Sequence, residues 1–157
     1  MSYISESAFG TQTLPSLDSN NPIEYLLSQI LFSPLNTDDL GYSVAVGYTE
    51  LITSNKPRFN DNLDIIKFLC KDVWIQVFKK QVDNLKTNHK GVYVLVDQNF
   101  RWVKNLSPNQ GGPNVGKDLL AFACGFIRGV LCQLGMDASV TGEVALPGCK
   151  IFLLRFY

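Results

Sequence analysis

The chain has one histidine, no close cysteine pair, no surplus of charge of either sign and no long apolar run. His89, alone in 157 residues, could serve as a single base or pH sensor. It follows what reads as a long helix, where a histidine more often caps the last carbonyls. No Ser/His/Asp arrangement can be fixed from it. The four cysteines are Cys70, Cys124, Cys132 and Cys149. None forms a C-x₂₋₄-C pair, which argues against a zinc site. Three fall in apolar stretches, where a reduced thiol behaves as a small hydrophobe, as suits a reducing compartment. Cys124 and Cys132 read as packing residues rather than nucleophiles. Lys+Arg and Asp+Glu number 14 each. Such a balance gives no field to attract nucleic acid or an anionic membrane. The most apolar run, Leu119 to Ile127, is stopped by Arg128 and is too short to span a bilayer. The opening "MSYISESAFGTQTLPSLDSNN" has neither a basic start nor an apolar centre, so it does not read as a signal peptide. A cytosolic protein is expected.

What the chain has in quantity is apolar residues, 46% against 18% charged. That is high for one domain's length and suggests apolar surface meant for a partner. One motif points toward chemistry. "GGPNVGKD" fits G-x-x-x-x-G-K from Gly111 to Lys117, the first seven residues of a phosphate-binding loop. The eighth should be Ser or Thr to ligate Mg²⁺; here it is Asp118, which would repel a triphosphate. The preceding polar, Pro-containing stretch is also no buried strand. The segment reads as a loop running into a helix, with Asp118 in the first turn, where a carboxylate is stabilised.

Residues 1–22 are rich in Ser, Thr and Asn and read as an arm with little structure of its own, leaving 23–157 as one domain. "IEYLLSQILF" (Ile23 to Phe32) has the apolar density of a short helix. "NTDDLGYSVAVGYTELITSN" begins with a cap at Asn36 or Thr37, and Leu40, Val44, Tyr48, Leu51 and Ile52 share one helical face. Asp61 to Lys86 reads as a helix of some 26 residues, about 39 Å long. Its apolar stripe is widened by Ile65, Phe68, Trp74, Ile75, Phe78 and Val82 beyond what one sheet would cover. Trp74 and Phe78 are therefore the candidate partner anchors.

"GVYVLVDQNFRWVKNL" (Gly91 to Leu106) reads as a hairpin, with Phe100, Trp102 and Val103 on the return strand. Gly116 to Gly135 reads as a second long helix. In it, Gly125 and Gly129 lie on one side and each costs about 1 kcal/mol of helix propensity, which implies close approach of another element. Arg128, the charge in its middle, requires pairing. A structural role bonded within the chain, with Glu143 one candidate, is favoured over reaching a partner. "ASVTGEVAL", Pro147-Gly148 and "CKIFLLRFY" read as a second hairpin. The pattern predicts an α+β domain of about four helices packed on one face of a twisted four-stranded antiparallel sheet. Lys79, Lys80, Lys86, Lys90, Arg101 and Lys104 read as a solvated basic face, with contact to an acidic partner or a phospholipid headgroup as the lesser alternative.

"FLCKDVWIQVFKKQVDNLKTNHKGVYVL" (Phe68 to Leu95) is similar to the signature of the subunit 6 family of the trafficking protein particle (TRAPP) complex. "AFACGFIRGVLCQLG" (Ala121 to Gly135) is similar to the Gly-Ile-Arg-Gly helix shared by the small subunits of that complex, and "LGYSVAVGYTELI" resembles their second helix more loosely. The resemblance implies a non-catalytic subunit that needs no cofactor. It implies pairing with another small subunit of the same fold, usually the palmitoylated subunit 3. It implies service in a complex that tethers vesicles between endoplasmic reticulum and Golgi and promotes nucleotide exchange on a Rab-family GTPase. The location implied is cytoplasmic, peripheral at the cis-Golgi and endoplasmic reticulum. In the palmitoylated branch an acylated cysteine precedes the long helix, and Phe59 stands at that place here. A phenyl ring cannot be thioacylated, so no covalent lipid is expected. The alternative reading is a lipid- or small-ligand-binding module with an apolar cavity between helices and sheet, which Phe59, Phe122 and Phe126 would fill.

Overall fold

The computed structural model describes residues 18, 20–25, 36–104, 115–145 and 147–155. A helical turn at 22–25 is all that is described of the helix expected over Ile23 to Phe32. Helix α1, Thr37–Thr53, starts where Asn36 Oδ1 accepts from the amide of Asp38, with Asp38 and Asp39 in its first turn. Helix α2 is continuous over 62–78 but not uniform. It is α-helical over Asn62–Phe68, widens to a π-helical turn over Leu69–Val73, and returns to α over Trp74–Phe78. Asp61 caps it through the amide of Asp64 at 2.8 Å. The π-turn has a visible use: the carbonyl of Cys70 accepts from the amide of Val82, tying the chain that follows α2 back onto the helix. Helix α3 is Val115–Gln133.

The expected 26-residue helix is thus shorter. It stops at Lys79, which adopts a left-handed conformation (φ 62°). Val82 and Leu85 fit the apolar stripe by spacing, but they belong to a segment that pairs with a strand. The amide of Asp83 donates to the carbonyl of Val96, and strand β1 follows at Asn84–Thr87. Strand β2 is Val92–Asp97, β3 is Ala138–Ala145 and β4 is Gly148–Arg155. The first hairpin is therefore β1–β2, with Leu85 opposite Leu95. The return strand expected at Phe100 to Val103 is a turn in which the amides of Val103 and Lys104 both donate to the carbonyl of Phe100. The adjacent bulky pair Trp102-Val103 breaks the alternation a half-buried strand needs. Both places beside β2 are taken, by β1 and β4.

The sheet is antiparallel throughout, in the order β1-β2-β4-β3. Its inner face carries Tyr93, Leu95 and Asp97 opposite Leu153, Ile151 and Cys149, all buried under the helices. Its other face carries Val92, Val94 and Val96 opposite Leu154, Phe152 and Lys150. This is the α+β arrangement predicted, with helices on one face of a four-stranded sheet. Helices α1 and α3 form the principal helix–helix contact, and α3 lies against β3.

Candidate interaction surface

Trp74 and Phe78, the expected partner anchors, are 0% and 1% exposed. They belong to a cluster with Phe100, Trp102 and Phe122. Ring centres are 4.5 Å apart for Trp74–Phe78, 4.8 Å for Phe78–Trp102 and 5.9 Å for Trp102–Phe122. The chain's own turn at 100–104 covers the side of α2 that was expected to need another molecule. Neither ring is free to anchor a partner, and α2 does not carry the surplus of bare apolar surface expected of it. On α2 only Leu63 and Ile75 are exposed large hydrophobics.

Two buried carboxylates hold this aromatic cluster in place. Asp97, 1% exposed, accepts from the indole N–H of Trp74 at 2.9 Å and from Lys80 at 2.7 Å. Glu24, fully buried, accepts from the indole N–H of Trp102 at 3.0 Å and from Arg101 at 2.7 Å. Each tryptophan finds the partner its N–H needs, and each acid finds a cation. Lys80 also reaches Asp83 at 2.7 Å. Burial pulls the Lys80 pKa down, but the hydrogen bonds and charges of Asp83 and Asp97 together leave it raised. The bond from Lys80, followed by the Gln98 amide, holds the carboxyl of Asp83 below its ordinary value. Two members of the basic face, Lys80 and Arg101, are thereby engaged within the fold. Lys79, Lys86, Lys90 and Lys104 lie on the surface.

The charge in the middle of α3 has a different partner from the one considered. Arg128 bonds Asp38, not Glu143, at 2.7 Å and lies over the ring of Tyr42 at 4.6 Å. Both partners come from α1, which reaches α3 because glycines line the crossing. A Cβ placed on Gly125 would lie 1.9 Å from the carbonyl oxygen of Asp38, one on Gly129 2.6 Å from the Cβ of Ala45, and one on Gly41 2.2 Å from the carbonyl oxygen of Phe122. The two glycines were legible as a sign of close approach; that Asp38 lies across the crossing was not.

Other candidates take ordinary places. His89 lies in the β1–β2 turn at positive φ (57°), not at a helix end. The turn is closed by Asn88, whose Oδ1 accepts from the amides of Lys90 and Val92. Burial pushes the thiols of Cys70 and Cys124 up to about 12 and raises that of Cys149 further. Such thiols are poor nucleophiles. Lys117 and Asp118 are in the first turn of α3, while 111–114 of the loop motif lie outside the described residues. Among the described residues no cluster of His, Cys, Asp and Glu could hold a metal, and no helix is long and apolar enough to cross a membrane.

Phe122 and Phe126 are fully buried. Phe59 is half-buried with its ring 5.1 Å from that of Phe68. Surface concavities open to solvent among the described residues include two. One, of about 550 Å³, runs between α3 and β3. The other, of about 330 Å³, is lined by Tyr42, Arg128, Cys132, Asp137 and Ala138. Both have charged walls, and neither is an enclosed apolar chamber between helices and sheet. Apolar side chains left at the surface include Leu51 at 75% exposed on α1 and Leu154 at 52% on β4. Leu40, Val44, Gly47 and Leu51 recur at helical spacing along one flank of α1.

Residues 16–157 match the family model described as transport protein particle (TRAPP) component. The chain is 46% identical over 114 residues to trafficking protein particle complex subunit 6b of Danio rerio, covering 72% of this chain and 73% of that one. It is 47% identical over 114 residues to subunit 6B of Homo sapiens, with 72% of each covered. Among solved structures it is similar to a trafficking protein particle complex subunit 3 from Naegleria fowleri covalently bound to palmitic acid, with a TM-score of 0.65 at 13% identity over 85% of this chain and 90% of that one.

Proposed function

The chain belongs to the transport protein particle (TRAPP) component family, and from that premise we propose that it is a non-catalytic assembly subunit of a vesicle-tethering complex acting between endoplasmic reticulum and Golgi. In this reading it pairs with a second small subunit of the same fold, of the palmitoylated subunit 3 kind. It helps position an assembly that promotes nucleotide exchange on a Rab-family GTPase, and it reaches membranes only through that assembly. The observation that carries the reading is the similarity to subunit 6 proteins over nearly three quarters of the chain.

The structure supplies a surface suited to pairing. Leu51 is three-quarters exposed at the end of the flank begun by Leu40 and Val44, and a Cβ placed on Gly47 would meet nothing within 4 Å. That flank offers a shallow apolar strip on which a second helix can lie closely. In this reading Phe59 stands where the palmitoylated branch carries its acylated cysteine, and its packing on Phe68 supports a subunit without covalent lipid.

Reconstitution tests the proposal. The complex is assembled from purified subunits with and without this chain, and GDP release from its Rab-family GTPase is followed by fluorescence. Loss of assembly and of exchange without the chain, with no exchange by the chain alone, is expected. Equal assembly and exchange without it would refute the proposal.

A further inference from the structure

The two edges of the sheet are treated differently. Strand β1 is short, Asn84–Thr87, and carries Lys86, the kind of residue that blunts an edge. Strand β3 is the other edge, twice as long at eight residues, and has neither lysine nor proline. It pairs with β4 along its whole length. In an antiparallel pair every second residue turns its N–H and C=O away from the partner. Among the described residues nothing bonds to that far side of β3.

The groove of about 550 Å³ runs along this same edge, from Val140 to Val144 on one wall and along Lys117, Leu120, Ala121 and Cys124 of α3 on the other. Gly142 keeps the walls close, because a Cβ there would lie 2.8 Å from both the Cys124 Sγ and the Leu120 Cγ. Val140 and Val144 point to the helix side yet are only half-buried, as the inner face of a sheet would be if it lacked its next strand.

We propose that β3 is a docking edge for an extended partner peptide, which adds as a fifth strand with its backbone on β3 and alternate side chains in the groove against α3. The inward side chains are of valine or alanine size, since Leu120, Ala121 and Cys124 form the floor. The outward ones are polar and continue the rows of Ser139, Thr141 and Glu143. Main-chain bonds give such binding its affinity and the alternate pockets its selectivity. A bare strand fits better than a second copy, whose own α3 would have to share the space this α3 already borders. The inference stands on the edge and groove alone and does not depend on the family reading.

The probe is an acetylated, amidated peptide Lys-Thr-Val-Thr-Val-Thr-Val-Lys, added to the ¹⁵N-labelled full chain with amide exchange read by NMR. In the free chain every second amide of 138–145 is expected to exchange openly, and saturating peptide to slow those amides at least ~10-fold. Two peptides N-methylated on alternate residues should differ, because only one set of N–H groups faces β3. Ala121→Arg, which fills the groove from the half-buried helix wall, should weaken binding ~10-fold or more with the circular dichroism spectrum unchanged. Absence of saturable binding up to about 1 mM, equal binding of both N-methylated peptides, or equal binding to A121R would each overturn the proposal. So would protection of those amides before peptide is added. If that protection grew with protein concentration the edge would belong to a second copy; if it did not, to the chain itself.

Discussion

A single methyl group distinguishes the tight face of the helix pair from its loose one. In Gly125→Ala the new Cβ would stand 1.9 Å from the carbonyl oxygen of Asp38 and under 3 Å from its carbonyl carbon and Cα. All three are backbone atoms, so no side chain can rotate away. The helices must part by more than an ångström, which disturbs the Arg128–Asp38 bond and the position of Arg128 over Tyr42. Overpacking of this kind costs about 3 kcal/mol, at the upper end of the usual range. The partly exposed ion pair adds about 0.5 kcal/mol, and alanine returns about 1 kcal/mol in helix propensity. The net is a loss of about 2–3 kcal/mol, or roughly 5–10 °C in Tm for a chain of this size. Gly47 is the control. It also lies inside a helix, but a Cβ there meets nothing within 4 Å. Gly47→Ala should stabilise by about 0.5–1 kcal/mol. Urea titrations followed by circular dichroism read both variants. If G125A were as stable as G47A, the close crossing of α1 and α3 would be wrong.

Asp97→Ala should cost about 3 kcal/mol, because it strands the buried indole N–H of Trp74; a loss under ~0.5 kcal/mol in the same titration would show that water replaces the carboxylate freely. The depressed pKa of Asp83 means its contribution is present above roughly pH 4 and is lost as pH falls through the lower folded-state value. Asp83→Asn should therefore flatten the acid limb of stability, leave the limb above neutrality to Lys80, and be checked by melts from pH 6 to 2. Cys70 and Cys124, raised to about 12 by burial, should resist iodoacetamide at pH 8 in the folded chain and react within minutes in urea, as mass spectrometry of the peptides will show. Leu51→Glu should alter the stability of the isolated chain by no more than about 0.5 kcal/mol, as a surface change, while weakening pairing with the small partner subunit ~10-fold or more in calorimetry.

The elements set by local chemistry were legible. Asn36 and Asp61 mark helix starts because their side chains reach an amide two or three residues on, and the valines of β2 alternate as a strand requires. The glycines of α3 announced a close neighbour because nothing else justifies their cost. Where the reading failed, a distant bond had decided the outcome. Val82 and Leu85 suit a helix as well as a strand, and the bonds to Cys70 and Val96 made the choice. Trp74 and Phe78 look surplus on a stripe wider than one sheet covers, and the folding back of the turn that begins at Phe100 over α2 is what buries them. The ligands of the two indoles, Glu24 and Asp97, lie 78 and 23 residues away along the chain, and no local pattern links them. An exposed flank on α1, and an edge of β3 that no described residue pairs with, follow from topology, so neither was visible before the fold.

The central claim is that this chain works as one half of a pair. Light scattering on the purified chain, mixed at micromolar concentration with the palmitoylated small subunit of its own complex, tests that directly. A single species with the summed mass of one copy of each is expected. Two species that keep their separate masses at every ratio would contradict it.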